Sequence, residues 1–480
     1  MKQLFRSIGA LSLIPFLLCL VSAQDLKNVD YDVDWPPPSF HKAMRDSLRA
    51  KMGKDAIAIF YSAPQRMRNA DVEYRYRQDD NFYYLTGFRE ANAVLVLLPD
   101  GTTFRLDGDT AQVTANEVLY LQPRNPMFER WTGRRYGPEG AVKLLGLRHA
   151  YSNLRLKNIL DLVLAADPKL VFIPPIPPDL SRAQAALLKP VKSLLDTLQK
   201  RDSTIQVKDP TPLVRKMRMV KSPEEIAMIT KATEISALAH RQAMMSCEPD
   251  MYEFELQAVY EYVYAKMGAE YAAYPSIVGS GENSVVLHYD ANRRQMKKGE
   301  IVVADCAAEY HYYASDITRT FPVRGKFSAE QKQIYQIVLD AQKAAIQMMK
   351  PGVSLKEVSD RATGIIEDGL IGLGLVKNKG SQEVRTFFNH GLSHGVGLNV
   401  HDVGDQILEA GAVWTVEPGI YIAEGTQDVD KKLWNIGVRI EDTVLITQDG
   451  NKNLSKDAPK EINEIEALMT KKGIGNQPLQ

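Results

Sequence analysis

Four carboxylates stand where apolar strands are expected to end. Asp305 and Glu417 each close a run of apolar residues, and Glu441 ends a third such run. Asp316 follows Asp305 on what reads as the returning arm of the same hairpin. A carboxylate buried at an apolar strand is costly unless another charge neutralises it. Four such positions together predict a bound cation.

Histidines supply a further type of donor. Three of the eight histidines, His390, His394 and His401, fall in one glycine-rich stretch. Glycines disfavour a helix there and let the backbone approach a ligand closely. One imidazole with four carboxylates suits Mn²⁺, with Zn²⁺, Co²⁺ and Fe²⁺ as alternatives, better than it suits a thiolate site. Four carboxylates exceed the needs of one catalytic ion, so we expect two divalent metal ions.

The remaining histidines are weighed against this pattern. A single histidine outside a cluster is more often a packed or surface side chain than a ligand. We therefore expect structural positions for four of them: His41, His149, His240 and His311.

The first half of the chain alternates helical and strand patterns. Helices are predicted at 41–52, near 139–146 and at 183–200, and strands at 56–61, 93–98 and 170–173. Proline clusters at 36–38 and 174–178 bar regular structure. Strands alternating with helices predict an α/β domain.

The second half of the chain, which contains the candidate metal ligands, shows a different pattern of helices and strands. Ser222 and Ser328 read as helix N-caps, because each is followed three residues later by Glu or Gln. Strand patterns dominate at 301–305, 414–417 and 437–447. The pattern predicts an α+β domain in which helices cover a mostly antiparallel sheet.

The length of the chain indicates the number of domains, and its net charge bears on the class of partner. The chain has 480 residues, whereas single cores stop growing near roughly 250–300 residues, so two domains are expected. Because 59 basic residues balance 59 acidic ones, no overall field selects a nucleic acid.

The first residues read as an export signal. Lys2 and Arg6 precede an almost wholly apolar run at 10–21, and Ala23 ends a small-residue cleavage site. The run is too short for a stable membrane span, so we expect a periplasmic or secreted protein. A lipoprotein signal at Cys19 is the weaker alternative, because the preceding Leu18 is bulky.

Two cysteines follow the predicted signal. Cys247 and Cys306 are expected to be buried free thiols, since two cysteines do not make a disulfide framework.

At the residues that carry the chemistry, the chain resembles aminopeptidase P, within the pita-bread family that also includes prolidase, methionine aminopeptidase and creatinase. The matching segments are 278–283 (VGSGEN) with His288, 315–322 (SDITRTFP), 390–394 (HGLSH), 400–404 (VHDVG), 415–421 (TVEPGIY) and 437–442 (GVRIED). Segments 70–78 and 82–88 resemble the amino-terminal domain of aminopeptidase P and its prolidase relatives.

The resemblance implies a fold and a domain plan. A smaller α/β, creatinase/prolidase-like domain would precede a C-terminal pita-bread catalytic domain of the α+β class. After the signal peptide at 1–23 and a proline-rich tether at 24–40, both predicted from the residues themselves, the amino-terminal domain is expected at 41–208, a linker at 209–217 and the catalytic domain at 218–475. A homo-oligomer, either a dimer or a tetramer, is implied by the resemblance alone.

The resemblance also implies roles. Asp305 would bind one metal, Asp316 and Glu441 would bridge both, and His394 and Glu417 would complete the other site. The implied catalytic set is Glu417, His401, His288, His390 and Arg439. The implied substrate-binding set is Tyr274, Tyr421, His390 and His401.

The expected reaction is hydrolysis of the bond before a proline in second position of a peptide. A hydroxide bridging the two metals would attack the carbonyl, and Glu417 would act as general base and then acid. A prolidase, which cuts only Xaa-Pro dipeptides, is the alternative enzyme, and a metal-free peptide-binding module is a third reading. Gly395, where many relatives carry a bulky residue, and the short segment 404–408 depart from the family pattern near the cleft.

Overall fold

The computed structural model describes residue 32 and residues 34–105, 110–178, 180–323 and 325–477. The predicted signal peptide, Cys19 and most of the predicted tether lie outside these residues. Within the described part of the chain, no helix is both long enough and apolar enough to cross a membrane.

The first domain contains both helices and strands. Its helices are α1 (Pro38–Met52), α2 (Asp80–Thr86), α3 (Pro126–Thr132), α4 (Gly137–Leu144), α5 (Ile159–Ala166) and α6 (Arg182–Arg201). Its strands are β1 (Ala56–Tyr61), β2 (Met67–Asn69), β3 (Val72–Glu73), β4 (Val94–Leu97), β5 (Thr103–Phe104), β6 (Val113–Thr114), β7 (Glu117–Leu121), β8 (Ala150–Ser152), β9 (Leu170–Phe172) and β10 (Gln206–Lys208).

A six-stranded mixed sheet forms the centre of this domain, in the order β10-β9-β1-β4-β7-β8. Alternate residues of β1 enter two separate cores: Ala58 and Phe60 face one, and Ile57 and Ile59 face the other. A strand covered on both faces must be apolar at every position, which is why β1 and β4 read as continuous apolar runs.

The second domain contains the remaining elements. Its helices are α7 (Thr211–Met219), α8 (Pro223–Ser246), α9 (Glu253–Lys266), α10 (Ala329–Met348), α11 (Leu355–Gly372) and α12 (Ile462–Leu468). Its strands are β11 (Tyr271–Ala272), β12 (Ile277–Ser280), β13 (Ile301–Asp305), β14 (Ala308–Tyr310), β15 (Tyr313–Ala314), β16 (Thr318–Pro322), β17 (Val413–Val416), β18 (Gly419–Ile422), β19 (Ile436–Arg439), β20 (Asp442–Ile446) and β21 (Asn451–Asn453).

The predicted helix starts and the predicted strand direction are confirmed in this domain. Ser222 and Ser328 cap α8 and α10 through complete capping boxes. All described pairings between its strands are antiparallel, but they form several small sheets rather than one. The strand predicted at 437–447 breaks at Ile440 and Glu441, which leaves β19 and β20 in different sheets.

The segments predicted as tether and linker contain helical residues. α1 begins at Pro38 rather than residue 41, because proline is tolerated in the first helical turn. The predicted linker at 209–217 is mostly helix α7, which buries Val214 and packs on α1. Trp35, at the end of the predicted tether, stacks on His311 of the second domain with ring centroids 3.7 Å apart.

The two domains are joined by specific contacts. Arg77 Nε donates to both carboxylate oxygens of Glu309 at 3.0 and 2.9 Å. The ring of Tyr83 stacks on Tyr312 with centroids 4.2 Å apart. These contacts fix the first domain against the hairpin β14–β15 beside the candidate site.

Candidate active site

One cavity of about 590 Å³ in the second domain, which we call the cleft, gathers almost every predicted functional residue. Those lining it are Tyr274, His288, Asp305, Asp316, His390, His394, His401, Glu417, Arg439 and Glu441. Tyr421 lies behind this lining and reaches it through hydrogen bonds to His390 and Arg439.

The ladder between β13 and β16 positions the first two carboxylates. Asp305 is the last residue of β13 and pairs with Thr318, the first residue of β16. Asp316 lies two residues before Thr318, just beyond the ladder. Both carboxylates therefore stand at the end of one antiparallel pair.

The ladder between β17 and β20 positions the other two. Val416 and Asp442 form its last pair, and Glu417 and Glu441 are the next residue on each side. The Glu441 N–H donates to the carbonyl of Thr318 at 3.0 Å, which joins this ladder end to the first one. Four carboxylates converge because two strand ends meet.

Threonine hydroxyls hold these ends together. Thr443 Oγ1 accepts from the Asp316 N–H at 3.1 Å and donates to the Asp316 carbonyl at 2.7 Å. Thr318 Oγ1 donates to Glu441 Oε2 at 2.7 Å. The sequence predictions omitted Thr318 and Thr443, although strand alternation places Thr318 on the same face as Asp316.

The innermost cluster consists of Asp316, His394 and Glu441, whose ligand atoms lie within 4.8 Å of one another. His394 Nε2 lies 3.4 Å from both Asp316 Oδ2 and Glu417 Oε1. His394 Nδ1 donates to the Gly395 carbonyl at 3.1 Å, which leaves Nε2 as the free ligand atom.

Tyr274 shows that the cluster carries excess negative charge. Its hydroxyl lies 2.6 Å from Asp305 Oδ1 and 2.6 Å from Asp316 Oδ1. A phenol has one hydrogen to donate, so it cannot satisfy two carboxylates at once. A cation between the carboxylates would resolve this competition.

Burial changes the acidity of the carboxylates. Burial raises the pKa of Glu441 well above its ordinary value, and the charge of Asp316 adds to the effect. Burial raises the pKa of Glu417 to about 7. Burial also raises the pKa of Asp305, although the Arg439 guanidinium opposes it. A cation beside these groups would favour their ionised forms and offset the cost of burying them.

His394 responds in the opposite sense. Burial alone would lower its pKa, but Asp316 and Glu417 outweigh burial and raise the pKa to about 9. The proton on His394 thus stands in for positive charge within the cluster. Four carboxylates and one imidazole fit divalent ions that prefer oxygen donors, so the residues present fit a metal pair.

Arg439 lines the cleft and is almost fully buried. Its Nη2 donates to Asp305 Oδ2 at 2.7 Å, and its Nη1 donates to the Tyr421 hydroxyl at 3.0 Å. His390 Nε2 accepts from that hydroxyl at 2.9 Å, because His390 Nδ1 donates to the Gly391 carbonyl. Burial lowers the pKa of His390 to about 4, so this imidazole is neutral at pH 7.

The four histidines predicted to be structural do not line the cleft. His41 Nδ1 donates to the Tyr84 carbonyl, and His240 Nε2 donates to the Cys306 and Ile317 carbonyls at 3.0 Å. The two nitrogens of His311 face Glu270 and Asp34.

The two cysteines also follow expectation. Cys247 and Cys306 are both buried and unpaired.

Gly395, which departs from the family pattern, stands where the backbone is crowded. A Cβ there would lie 2.7 Å from the Val403 carbonyl oxygen and 2.9 Å from that of Asp402. Glycine at this position therefore permits a close approach of the two sides of the loop that carries His401.

Family models match both domains. Residues 227–448 match the model described as metallopeptidase family M24, and residues 41–172 match the aminopeptidase P N-terminal domain. The aminopeptidase P N-terminal match contains five of the six strands of the central sheet, all but β10, and the M24 match includes all five predicted metal ligands.

Whole-chain similarity agrees with the family models. The chain is 40% identical to the Xaa-Pro aminopeptidase of Escherichia coli strain K12 over 443 residues, which cover 88% of this chain and 96% of the relative.

Solved structures show the same similarity. Proline aminopeptidase P II from Yersinia pestis superposes with a TM-score of 0.80 at 38% identity, over 91% of this chain and 100% of that chain. Pseudomonas aeruginosa aminopeptidase PepP gives a TM-score of 0.82 at 36% identity, over 91% and 99%. The cleft is thus the part of a shared two-domain fold in which the predicted ligands meet.

Proposed function

We propose that the chain, which belongs to metallopeptidase family M24 and carries an aminopeptidase P N-terminal domain before its pita-bread catalytic domain, removes the N-terminal residue from peptides whose second residue is proline. The observation that carries the proposal is the convergence of Asp305, Asp316, His394, Glu417 and Glu441 on one cleft.

We propose Mn²⁺ as the metal, and these five side chains as the residues that would hold two such ions. When bound, two divalent ions would acidify a shared water and polarise the scissile carbonyl. The close grouping of Asp316, His394 and Glu441 supports this assignment of the inner ligands.

Glu417 is proposed as the group that moves the proton. Its carboxylate lies at the cleft wall, 3.4 Å from His394 Nε2 and 3.7 Å from His390 Nδ1. From there it would take a proton from the attacking water and pass it to the leaving proline nitrogen. An amide anion is a poor leaving group, so the proline nitrogen must gain a proton as the bond breaks.

Histidines and Arg439 are proposed to bind and orient the peptide. His288 and His401 line the cleft and can donate to the carbonyl oxygen as negative charge develops on it. One hydrogen-bonded chain runs from Asp305 through Arg439 and Tyr421 to His390. It fixes the positions of these side chains relative to one another.

The proposal is tested with metal-depleted protein reloaded with Mn²⁺. We expect Xaa-Pro-Xaa peptides to be cleaved after residue one, and matched Xaa-Ala-Xaa peptides to be cleaved far more slowly. Mass spectrometry of the products identifies the bond that is cut. Full activity in the presence of a strong chelator, or equal cleavage of the alanine peptides, would contradict the proposal. Parallel reloading with Zn²⁺, Co²⁺ or Fe²⁺ tests the choice of metal.

A further inference from the structure

The side chain of His401 lies in the cleft beside the ring of His394. The residue is exposed at the cleft, and its ring centroid lies 4.0 Å from that of His394. No side-chain hydrogen bond of His401 is found to the residues that the structure describes. Apart from the ring contact with His394, its place in the cleft is set by the backbone of residues 395–403, which we call the His401 loop.

The two sides of this loop are in direct backbone contact. The Asp402 N–H donates to the Gly395 carbonyl at 2.8 Å. A side chain at Gly395 would collide with the carbonyl oxygens of Asp402 and Val403. The close approach that Gly395 allows brings His401 down towards the predicted ligand His394.

The carboxylate of Asp402 anchors the loop beside His401. Arg218 Nη2 donates to Asp402 Oδ1 at 2.7 Å, and Lys221 Nζ lies 3.4 Å from Asp402 Oδ2. The three side chains are 4%, 1% and 2% exposed in the order Arg218, Lys221, Asp402. In a buried ionic group, removing one charge leaves the others uncompensated, so the anchor is strong.

The first domain holds the opposite side of the same loop. Arg77 Nη2 donates to the Leu398 carbonyl at 2.9 Å, and the Asn399 amide donates to Asp80. Arg218 joins the two anchors, because its Nη1 donates to Asn81 Oδ1 at 2.8 Å. The loop that carries His401 is thus clamped between α7 and the start of α2.

We propose that Asp402 is a positioning residue that sets His401 in the cleft, and that Arg218 makes the first domain part of this support. The proposal rests on the proposed function for the role of His401 and on the contacts above for the anchor. The amino-terminal domain accordingly acts on turnover through the His401 loop, in addition to packing against the catalytic domain.

A double-mutant comparison tests the link to catalysis. His401→Ala should lower kcat by roughly 100-fold with metal content intact, as expected for a polar group acting on the transition state. Asp402→Asn should lower kcat by about 10-fold with little change in KM, because the loop is loosened but His401 remains. The kcat of the double variant should match that of His401→Ala within about twofold, since both changes act on the same contribution of His401 to turnover. Multiplying losses, or wild-type kcat in Asp402→Asn, would overturn the proposal.

Hydrogen exchange gives a readout that does not depend on catalysis. Mass spectrometry of peptides covering 395–403 should show faster exchange in Asp402→Asn and Arg218→Ala, but not in His401→Ala. If the wild type proved inactive on Xaa-Pro-Xaa peptides, the proposed function would fail. The exchange measurement would still test whether Asp402 anchors the His401 loop. Unchanged exchange in Asp402→Asn would refute the anchor itself.

Two further variants separate positioning from general destabilisation. Arg218→Lys keeps the charge and should recover much of the turnover that Arg218→Ala loses. Glu117→Gln removes the buried partner of Arg45 within the first domain, where the ion pair spans 2.7 Å. It should lower the melting temperature but keep kcat and the exchange of the His401 loop. A loss of kcat in Glu117→Gln comparable to that in Asp402→Asn would overturn the positioning role.

Discussion

The predicted ligands differ in how firmly the protein holds them without a metal. Asp305 is tied to Arg439 and Glu441 is tied to Thr318, each through a hydrogen bond of 2.7 Å. Asp316 has a close contact only with Tyr274, which it shares with Asp305, and a longer one with His394. Glu417 is held less firmly still, by contacts of 3.3 to 3.7 Å with Thr415, His394 and His390. Asp316 is the more informative position to change, because it belongs to the close group with His394 and Glu441.

Asp316→Ala should abolish both metal retention and peptide hydrolysis, because Asp316 would hold metal together with His394 and Glu441. Metal content after desalting, measured by mass spectrometry of the elements, and hydrolysis of an Xaa-Pro-Xaa peptide check this. Asp290→Ala is the matched control, since Asp290 is an exposed carboxylate lining the same cleft outside the cluster. Normal metal content and turnover in Asp316→Ala would exclude the two-metal arrangement.

At the residue scale, the sequence indicated the charged side chains of the site more reliably than the residues that hold them in place. A carboxylate in an apolar run is a visible anomaly, so Asp305, Glu417 and Glu441 could be picked out. The supporting Thr443 and the anchor Asp402 carry no such signal. Threonine is common in strands, and a charged residue beside His401 looks like a surface residue until Arg218 is brought to it by the fold.

At the element scale, strand ends rather than strands place the chemistry. Local rules predicted β1, β13 and the capped starts of α8 and α10, because burial on both faces and capping residues leave local patterns. The same rules did not reveal the break between β19 and β20, which depends on where Glu441 meets the other ladder. They also missed α7, whose stability comes from tertiary packing.

The packing of α1 on α2 gives a pH-dependent prediction. His41 on α1 is buried, and burial lowers its pKa from 6.5 to about 4. Between these values the unfolded chain binds a proton that the folded chain does not, so lowering the pH favours unfolding. From pH 7 to pH 5, this group should cost about 2 kcal/mol of stability.

Comparison with His41→Gln isolates that contribution, because glutamine keeps an amide donor for the Tyr84 carbonyl but does not titrate. Denaturant unfolding of both proteins at pH 7 and pH 5 gives the difference. The wild type should lose about 2 kcal/mol more than the variant over this range. Equal losses would mean that His41 is protonated in the fold.

At the scale of the whole molecule, the amino-terminal segment and both domains form one packed unit. Trp35 and Asp34 contact His311, so the end of the predicted tether is docked on the catalytic domain. Tyr83 is 1% exposed and stacks on Tyr312, so the contacts that bury it lie within this chain. The homo-oligomer therefore stays a prediction from the family resemblance.

We also propose export with removal of residues 1–23. Lys2 and Arg6 precede the apolar run, and Val21, Ser22 and Ala23 supply the small-residue cleavage site. N-terminal sequencing of protein from its native host should begin at Gln24. Ala23→Lys should block processing, whereas Ser22→Ala keeps a small residue and should be processed normally. An intact Met1, or a lipid on Cys19, would contradict this proposal.

The charges that line the cleft bear on whether it accepts longer peptides or only dipeptides. A prolidase must recognise the carboxylate that directly follows proline, and a cation in the cleft is the usual means of doing so. Among the described residues that line the cleft, Arg439 is the one Lys or Arg, and its guanidinium is held by Asp305. Burial lowers the pKa of both His390 and His401, which disfavours their charged forms. The pKa of His394 is raised, but this side chain faces Asp316 and Glu417 and is proposed to hold metal.

This arrangement favours an aminopeptidase over a prolidase. Xaa-Pro-Xaa and longer peptides should be cleaved with a kcat/KM at least about 10-fold above that of the matched Xaa-Pro dipeptide, because residues after proline add binding energy that positions the scissile bond. Capping the dipeptide as its amide provides the control: removing the negative charge should improve cleavage here and would impair it in a prolidase. A strong preference for the free dipeptide would assign the chain to the prolidases and would require a cation in the cleft other than Arg439.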